Sequence, residues 1–279
     1  MSGKSGGEPI KVLTIAGSDS GGAAGLQADL KSFSALGAYG MSVVTVVTAQ
    51  NSQEVRAVFS LPADLVESQL QAVFEDYGAD AVKTGFIGRA ELVVCIARQL
   101  ARQLASSRPP FLVVDPVLVN HHGQSMFPAD VTQAYREALI PLASVVTPNP
   151  EEAALLSGRA VESLDDLVGA ARAISVLGVP FVLAKGYRDG DEMVDVLVGS
   201  DGSRFFRRPV IDTQNTHGSG DTLSAALCVY LAQGRSMGVA VEEALQFTER
   251  AIRRAAGWRM GRGHGPVGQL RILKHPADK

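Results

Sequence analysis

The 279-residue chain has little cysteine: Cys95 and Cys228 each lie in an apolar, helix-like stretch, and their spacing matches no metal site. That excludes a disulfide-stapled scaffold and a zinc-cysteine fold, and fits two free core thiols in a reducing cytosol. Long hydrophobic runs are also missing, so no segment reads as a membrane span. The opening stretch MSGKSGGEP (1–9) has no apolar centre of the kind a signal peptide needs. Neither sign of charge dominates, since 26 Lys and Arg face 29 Asp and Glu for a net charge of −3. A general binder of nucleic acid or anionic membrane is thereby excluded, and a cytoplasmic protein is expected. The basic run 249–265 reads as a solvated helix face.

The common signatures of nucleotide and acyl-transfer chemistry are absent too. There is no Gly-x4-Gly-Lys-[Ser/Thr] loop, no Gly-x-Gly-x-x-Gly and no Gly-x-Ser-x-Gly elbow. The stretch SDSGG (18–22) looks like a serine-protease nucleophile, yet His121, His122, His217, His264 and His275 all follow Ser20. A protease of that type needs its histidine base upstream, on an all-β fold. The histidines show no zinc spacing either.

Short β-branched runs alternate with longer segments whose apolar residues recur at helical spacing. Strands are expected at 11–17, 41–48, 80–85, 110–117, 143–149 and 180–186. Helices are expected at 26–37, 63–77, 90–105, 131–142, 164–178, 218–232 and 239–257. Runs 192–199 and 203–211 read as an antiparallel pair turning at 201–203. Such alternation implies an α/β fold: a central, mostly parallel sheet with helices on both faces. One domain is expected over 10–270, after a disordered N-terminal segment 1–9 and before a C-terminal tail 271–279. Ligands of such sheets bind beyond the carboxyl ends of the strands, which singles out loops 17–25, 48–52, 115–125, 147–152, 185–191 and 212–221.

Three of these loops carry chemistry. Gly17, Gly21, Gly22 and Gly25 give either a tight bend that lets backbone approach a ligand, or a mere connection. In DTQNTHGSGDTLSAAL (212–227), Gly218, Ser219 and Gly220 precede a helix start and Asp221 stands in its first turn. Amides there form an anion hole suited to a transferred phosphoryl group, and Asp221 there could take the proton of an attacking hydroxyl. The same residues also suit a plain helix cap. A helix dipole would lower the pKa of Asp221 and a bound polyphosphate would raise it. In TPNPEEAALLSG (147–158), Asn149 and Glu152 offer hard oxygen for Mg²⁺, as does Asp115 at the end of LVVD, although Pro150 and the two glutamates also spell an ordinary helix start. Together these sites point to Mg-nucleotide phosphoryl transfer.

The runs AGSDSGGAAGLQADLKSFSALGAYG, TAQNS, VKTG, VVDPV, TPNPEEAALL, AKG, NTHGSGDTLSAAL and GHGP occur in this order between about residues 11 and 268. In this the chain resembles the ribokinase-like superfamily, and is most similar to the hydroxymethylpyrimidine and phosphomethylpyrimidine kinases of thiamin synthesis. The resemblance implies a ribokinase-like fold, a homodimer, and ATP- and Mg²⁺-dependent phosphorylation of 4-amino-5-hydroxymethyl-2-methylpyrimidine and then of its monophosphate. It places Gly17, Asp19, Ala24, Asp29, Thr48, Gln50 and Phe86 around the pyrimidine. Asn149, Lys185 and Thr213 fall on the nucleotide side, and Asp115 and Glu152 at the metal. Gly218, Ser219 and Gly220 match the anion hole, with Asp221 as base. An amide such as that of Gln50 offers one donor and one acceptor to an aminopyrimidine edge. Phe86 stands where the family more often has Met, and either gives a flat ring an apolar wall.

Two departures stand out. Asp221 replaces the Cys usual in these kinases; Asp is the base of the wider superfamily, and it adds negative charge where a monophosphate would sit. KGYRDGD (185–191) replaces the family's Lys-Gly-Gly-His. Pyridoxal kinases share several of the motifs and form an alternative, as does a non-catalytic vitamin- or nucleotide-binding regulator.

Overall fold

The computed structural model describes residues 7–120 and 123–270. Residues 1–6 of the expected N-terminal segment, the tail 271–279, and His121 and His122 lie outside the described residues. The strands are β1 (Lys11–Asp19), β2 (Tyr39–Gln50), β3 (Val55–Ser60), β4 (Ala81–Thr84), β5 (Phe111–Val114), β6 (Val145–Val146), β7 (Val182–Asp189), β8 (Glu192–Gly199) and β9 (Gly202–Pro209). The helices are α1 (Gly25–Ala35), α2 (Ala63–Asp76), α3 (Ala90–Leu104), α4 (Ala129–Ala134), α5 (Pro150–Ser157), α6 (Leu164–Ser175), α7 (Ser219–Ala232) and α8 (Met237–Ala255). All nine strands join one sheet in the order β3-β2-β1-β4-β5-β6-β7-β8-β9. From β2 to β7 every neighbouring pair is parallel; β3, β8 and β9 extend the two edges antiparallel. The chain leaves β1 first to one side, toward β2, and then to the other, toward β4. The crevice beyond the carboxyl ends of β1 and β4 is therefore the switch point where such sheets hold ligands.

Side chains alternate across a strand with period two, and here that alternation separates two cores. Leu13, Ile15, Val82, Leu112, Val114 and Val146 point to the layer of α2 to α6. Val12, Ala81, Val113, Val145 and Leu183 point to the layer of α1, α7 and α8, where they meet Phe33, Leu227 and Val241. Helix α7 buries residues on every side because α1, α8 and the sheet all pack against it. Continuing the alternation carries Thr14, Lys83, Asp115 and Lys185 onto that same face. Lys83 is one residue from the end of β4 and Asp115 follows β5 directly, while Thr14 pairs with Lys83 and Lys185 lies midway along β7.

The structure departs from the sequence expectations in four places. Strand β3 was not anticipated, because five of its six residues are exposed and show no alternation; pairing with β2 holds it instead of burial. The expected helix 131–142 divides into α4, a π-turn at Tyr135–Leu139 and a 3₁₀ turn at Ile140–Leu142. Pro141 has no amide to donate and crowds the carbonyl four residues back, so the regular helix ends early. Strand β6 keeps two residues of the expected seven. Finally, 185–191 is not an open loop: β7 runs on to Asp189 and turns into β8 at Gly190 and Asp191. Among the described residues no helix is long and apolar enough to cross a membrane.

Candidate active site

The two glycine loops meet backbone to backbone. Gly25 has φ +59°, and a Cβ there would stand 2.4 Å from the carbonyl oxygen of Gly17. Gly218 has φ +79°, and a Cβ there would stand 1.9 Å from the carbonyl oxygen of Ala23. Only glycine fits either position, so the bend after β1 and the cap of α7 lock together. Asp19 shapes that bend: its carboxylate accepts from the amides of Gly21 (2.7 Å), Ala23 (2.8 Å) and Ala24 (2.9 Å). The carboxylate expected at the pyrimidine is thus turned onto its own loop. The Ser20 hydroxyl donates to the Gln50 carbonyl at 2.8 Å and accepts from the Gln50 amide at 2.9 Å. It ties the first loop to the end of β2 and has no base beside it, which disposes of the protease reading. Thr48 makes a second tie, donating to the Ser18 carbonyl at 2.9 Å.

Above this floor the side-chain amide of Gln50 makes no hydrogen bond among the described residues. The ring of Phe86 lies so close to Gly17 that a Cβ on the glycine would come within 2.8 Å of it. Phe127 packs against Phe86 with ring centres 5.3 Å apart, widening the aromatic wall.

Beneath α7 lies a row of buried charge. Asp29, on α1, accepts from Lys83 Nζ at 2.7 and 2.8 Å and from the Thr14 hydroxyl at 2.6 Å. The same Lys83 Nζ stands 3.0 Å from Asp221 Oδ1. Alongside, Lys185 Nζ lies 2.6 Å from Asp115 Oδ1, and Asp115 Oδ2 accepts from the Ser224 hydroxyl at 2.9 Å. Burial alone would raise the pKa of Asp221, but the charge and hydrogen bond of Lys83, the charge of Lys185 and the Gly25 amide outweigh it and hold Asp221 below the usual range. Asp29 goes the other way. Burial pushes it up to about 7 against the pull of Lys83, with the charge of Asp221 adding to the rise. Burial works against the ammonium of Lys83, yet Asp29, Asp221 and Asp115 keep it protonated and raised. Asp221 is therefore a carboxylate at neutral pH, with 15% of its side chain open to solvent.

The three residues expected to form an anion hole at the start of α7 do not all offer their amides. The amide of Ser219 donates to the Thr216 carbonyl at 3.1 Å and is not available to a ligand. The amides of Gly218, Gly220 and Asp221 find no acceptor among the described residues, so these three could meet an anion at the helix start. Across the crevice, Asn149 caps α5 with a reciprocal box: its side chain accepts from the Glu152 amide, and Glu152 accepts from the Asn149 amide at 3.0 Å. The other oxygen of Glu152 accepts from Leu118 at 3.1 Å. Val117, just before it, is held at φ +46°, a strained conformation for a β-branched residue at the rim of a site. Among the described residues no three acidic, histidine or cysteine side chains converge as a metal cage. Asp115 and Glu152 are both spoken for by protein donors, and what they offer a cation is charge across water. Thr213 donates to the Ala256 carbonyl at 3.3 Å and lines a cavity of about 380 Å³ with Asn215, Trp258, Arg259 and Arg262.

The structure thus gathers Gly17, Ala24, Gln50, Phe86, Gly218, Gly220 and Asp221 about one crevice, with Asp115, Glu152 and Lys185 beside it. The sequence reading missed Lys83, Ser224 and Phe127. Lys83 had a signal: a lysine inside a short central strand, AVKT, between buried parallel strands must be buried, and a buried charge needs a partner. Glu152 yields a prediction. Burial raises it from 4.5 to about 7, with the neighbouring Asp115 adding and Lys185 opposing. The folded chain therefore holds this proton more tightly than the unfolded one. The resulting stabilisation is complete below pH 4.5 and lost as pH rises through about 7. Denaturation midpoints should show wild type losing stability relative to Glu152→Gln across that window.

The sequence profile described as phosphomethylpyrimidine kinase matches residues 19–268. The hydroxymethylpyrimidine/phosphomethylpyrimidine kinase of Streptomyces coelicolor is 44% identical over 259 residues, covering 93% of this chain and 94% of that protein. The crystal structure of phosphomethylpyrimidine kinase from Clostridium difficile 630 is 39% identical with a TM-score of 0.77, over 87% of this chain and 99% of that one. Pyridoxal kinase from Staphylococcus aureus, solved with AMP-PCP and pyridoxal, is 36% identical with a TM-score of 0.84 over 94% of each chain. The fold is accordingly ribokinase-like, and the chain is a phosphotransferase that belongs to the phosphomethylpyrimidine kinase family.

Proposed function

We propose that the chain, as one kinase domain over 10–270 in the cytoplasm, transfers the γ-phosphoryl group of ATP to the hydroxymethyl oxygen of 4-amino-5-hydroxymethyl-2-methylpyrimidine. The observation that carries this reading is Asp221, ionised in the first turn of α7 beside three unpaired amides and next to the Gly17 and Phe86 floor. The pyrimidine ring stacks on Phe86 and pairs its amino edge with the free amide of Gln50. Asp221 takes the hydroxyl proton as the oxygen attacks phosphorus, and the amides of Gly218, Gly220 and Asp221 receive the developing phosphoryl charge. Asp19 and Asp29 act from behind, the one by shaping the loop and the other through Lys83.

Lys185 and Thr213 face the nucleotide. Asp115 and Glu152 fit Mg²⁺ held chiefly by the triphosphate, contributing through bound water, and the ion there would neutralise phosphate charge. A homodimer is supported by the exposed apolar pair Val47 and Phe59, which face each other across β2 and β3. Pyridoxal is the second reading. It is favoured by the match to the Staphylococcus aureus kinase, whose named ligand also carries a hydroxymethyl group, but the higher identity to pyrimidine kinases outweighs it.

ATP turnover with the pyrimidine alcohol, its monophosphate and pyridoxal, measured side by side, tests the assignment. The alcohol should be the best substrate, with the monophosphate slower because its charge meets that of Asp221. Turnover of pyridoxal alone would sink the reading. Asp221→Asn should lower kcat by about 10²–10⁴-fold. An unchanged rate would reduce Asp221 to a helix cap.

A further inference from the structure

One ammonium serving two carboxylates is more than ion pairing requires. Lys83 is already satisfied by both oxygens of Asp29, and the side chains of both residues are fully buried. Its third contact, to Asp221 Oδ1 at 3.0 Å, joins this closed pair to the residue facing the reaction. Each simpler arrangement would be a poor base. A buried carboxylate without the lysine would hold a proton before the substrate arrived, and one that owned the lysine alone would scarcely accept a proton at all.

We propose that Lys83 and Asp29 are positioning residues for phosphoryl transfer: Lys83 fixes one oxygen of Asp221, and Asp29 shares the lysine so that Asp221 remains a usable base. This inference rests on the reading of Asp221 as the base. In the transfer step the substrate O–H proton passes to Asp221 while the oxygen–phosphorus bond forms. The bond from phosphorus to the departing diphosphate breaks, and its electron pair leaves with ADP. Asp221 loses its charge at that moment, the repulsion it exerts on Asp29 goes with it, and Asp29, drawn to the carboxylate form by Lys83, keeps the ammonium matched. The proton then escapes through the exposed edge of Asp221 once product has left.

The surroundings allow the effect to be assigned. From β5 and β7, Asp115 and Lys185 act on the trio at longer range, and Glu152 of α5 acts on that second pair. Thr14 of β1 and Cys228 of α7 face Asp29, and the Gly25 amide of α1 donates to Asp221. Substitution of Asp29 or Lys83 leaves all of these in place.

The test is the pH dependence of kcat with the pyrimidine alcohol and ATP. Wild type should lose kcat as pH falls through about 7, where Asp29 is protonated and Lys83 is left to Asp221 alone. In Asp29→Asn that holds at every pH, so the limb near 7 should vanish and kcat stay at the low level. In Lys83→Met the acidic limb should move up, and Asp29→Glu should restore the wild-type limb. Lys83→Met strands a buried carboxylate and is liable not to fold. The double variant Lys83→Met/Asp29→Asn removes both charges and should show the same upward shift. Loss of thermal stability with an unmoved limb in Asp29→Asn and in the double variant would overturn the proposal. Asp221→Asn serves as control: if it is inactive while those limbs stay put, this inference fails alone, and if it is active, the base reading fails with it.

Discussion

Two lysine ammoniums and four carboxyl groups are packed beneath the first turn of α7 and across to α5, largely shielded from bulk water, and the local structure depends on keeping them matched. Removing such charges from water costs several kcal/mol each, repaid only by close partners. Lys83 is held by Asp29 and Asp221, and Lys185 by Asp115, at 2.6–3.0 Å. Taking one member away would leave its partner buried and alone, at a cost of about 3–5 kcal/mol. An apolar row would serve stability as well or better, so stability does not account for the arrangement. A charged carboxylate and a second cation at the edge of a water-poor crevice are what the proposed transfer needs.

The position of this row follows from strand geometry. Thr14 on β1, Lys83 and Asp115 at the ends of β4 and β5, and Lys185 on β7 share one face of the sheet and point toward α1 and α7 because side chains alternate. α7 can approach them only because Gly218 lets its cap touch the carbonyl of Ala23. The bend after β1, shaped by Asp19, thereby sets the distance between the floor of the crevice and the first turn of α7. The hydroxyl of Ser20 has its place in this arrangement as a tie to Gln50, not as a nucleophile.

Much of this was legible in the sequence, for physical reasons that differ by element. The parallel strands announce themselves because burial on both faces demands continuous apolar runs, and the caps of α5 and α7 because Asn, Pro and Gly are set where backbone geometry requires them. The position of Asp221 in the first turn of a helix was legible from the Gly-Ser-Gly that precedes it. β3 was not, because hydrogen bonds to β2 hold an exposed strand whatever its side chains are. The contest over the charge of Asp221 was not decidable from sequence either: the deciding group, Lys83, is 138 residues away in the chain. The turned amide of Ser219 likewise depends on a carbonyl whose direction no residue type reveals.

The central claim is that phosphoryl transfer occurs where α7 begins, with Asp221 taking the proton. A crystal structure with the pyrimidine alcohol and a non-hydrolysable ATP analogue tests it most directly. The account places the hydroxymethyl oxygen within hydrogen-bonding reach, about 2.6–3.2 Å, of Asp221, and the terminal phosphate on the amides of Gly218, Gly220 and Asp221. A ring bound away from Phe86 and Gln50, or a terminal phosphate seated elsewhere with Asp221 facing only Lys83, would contradict it.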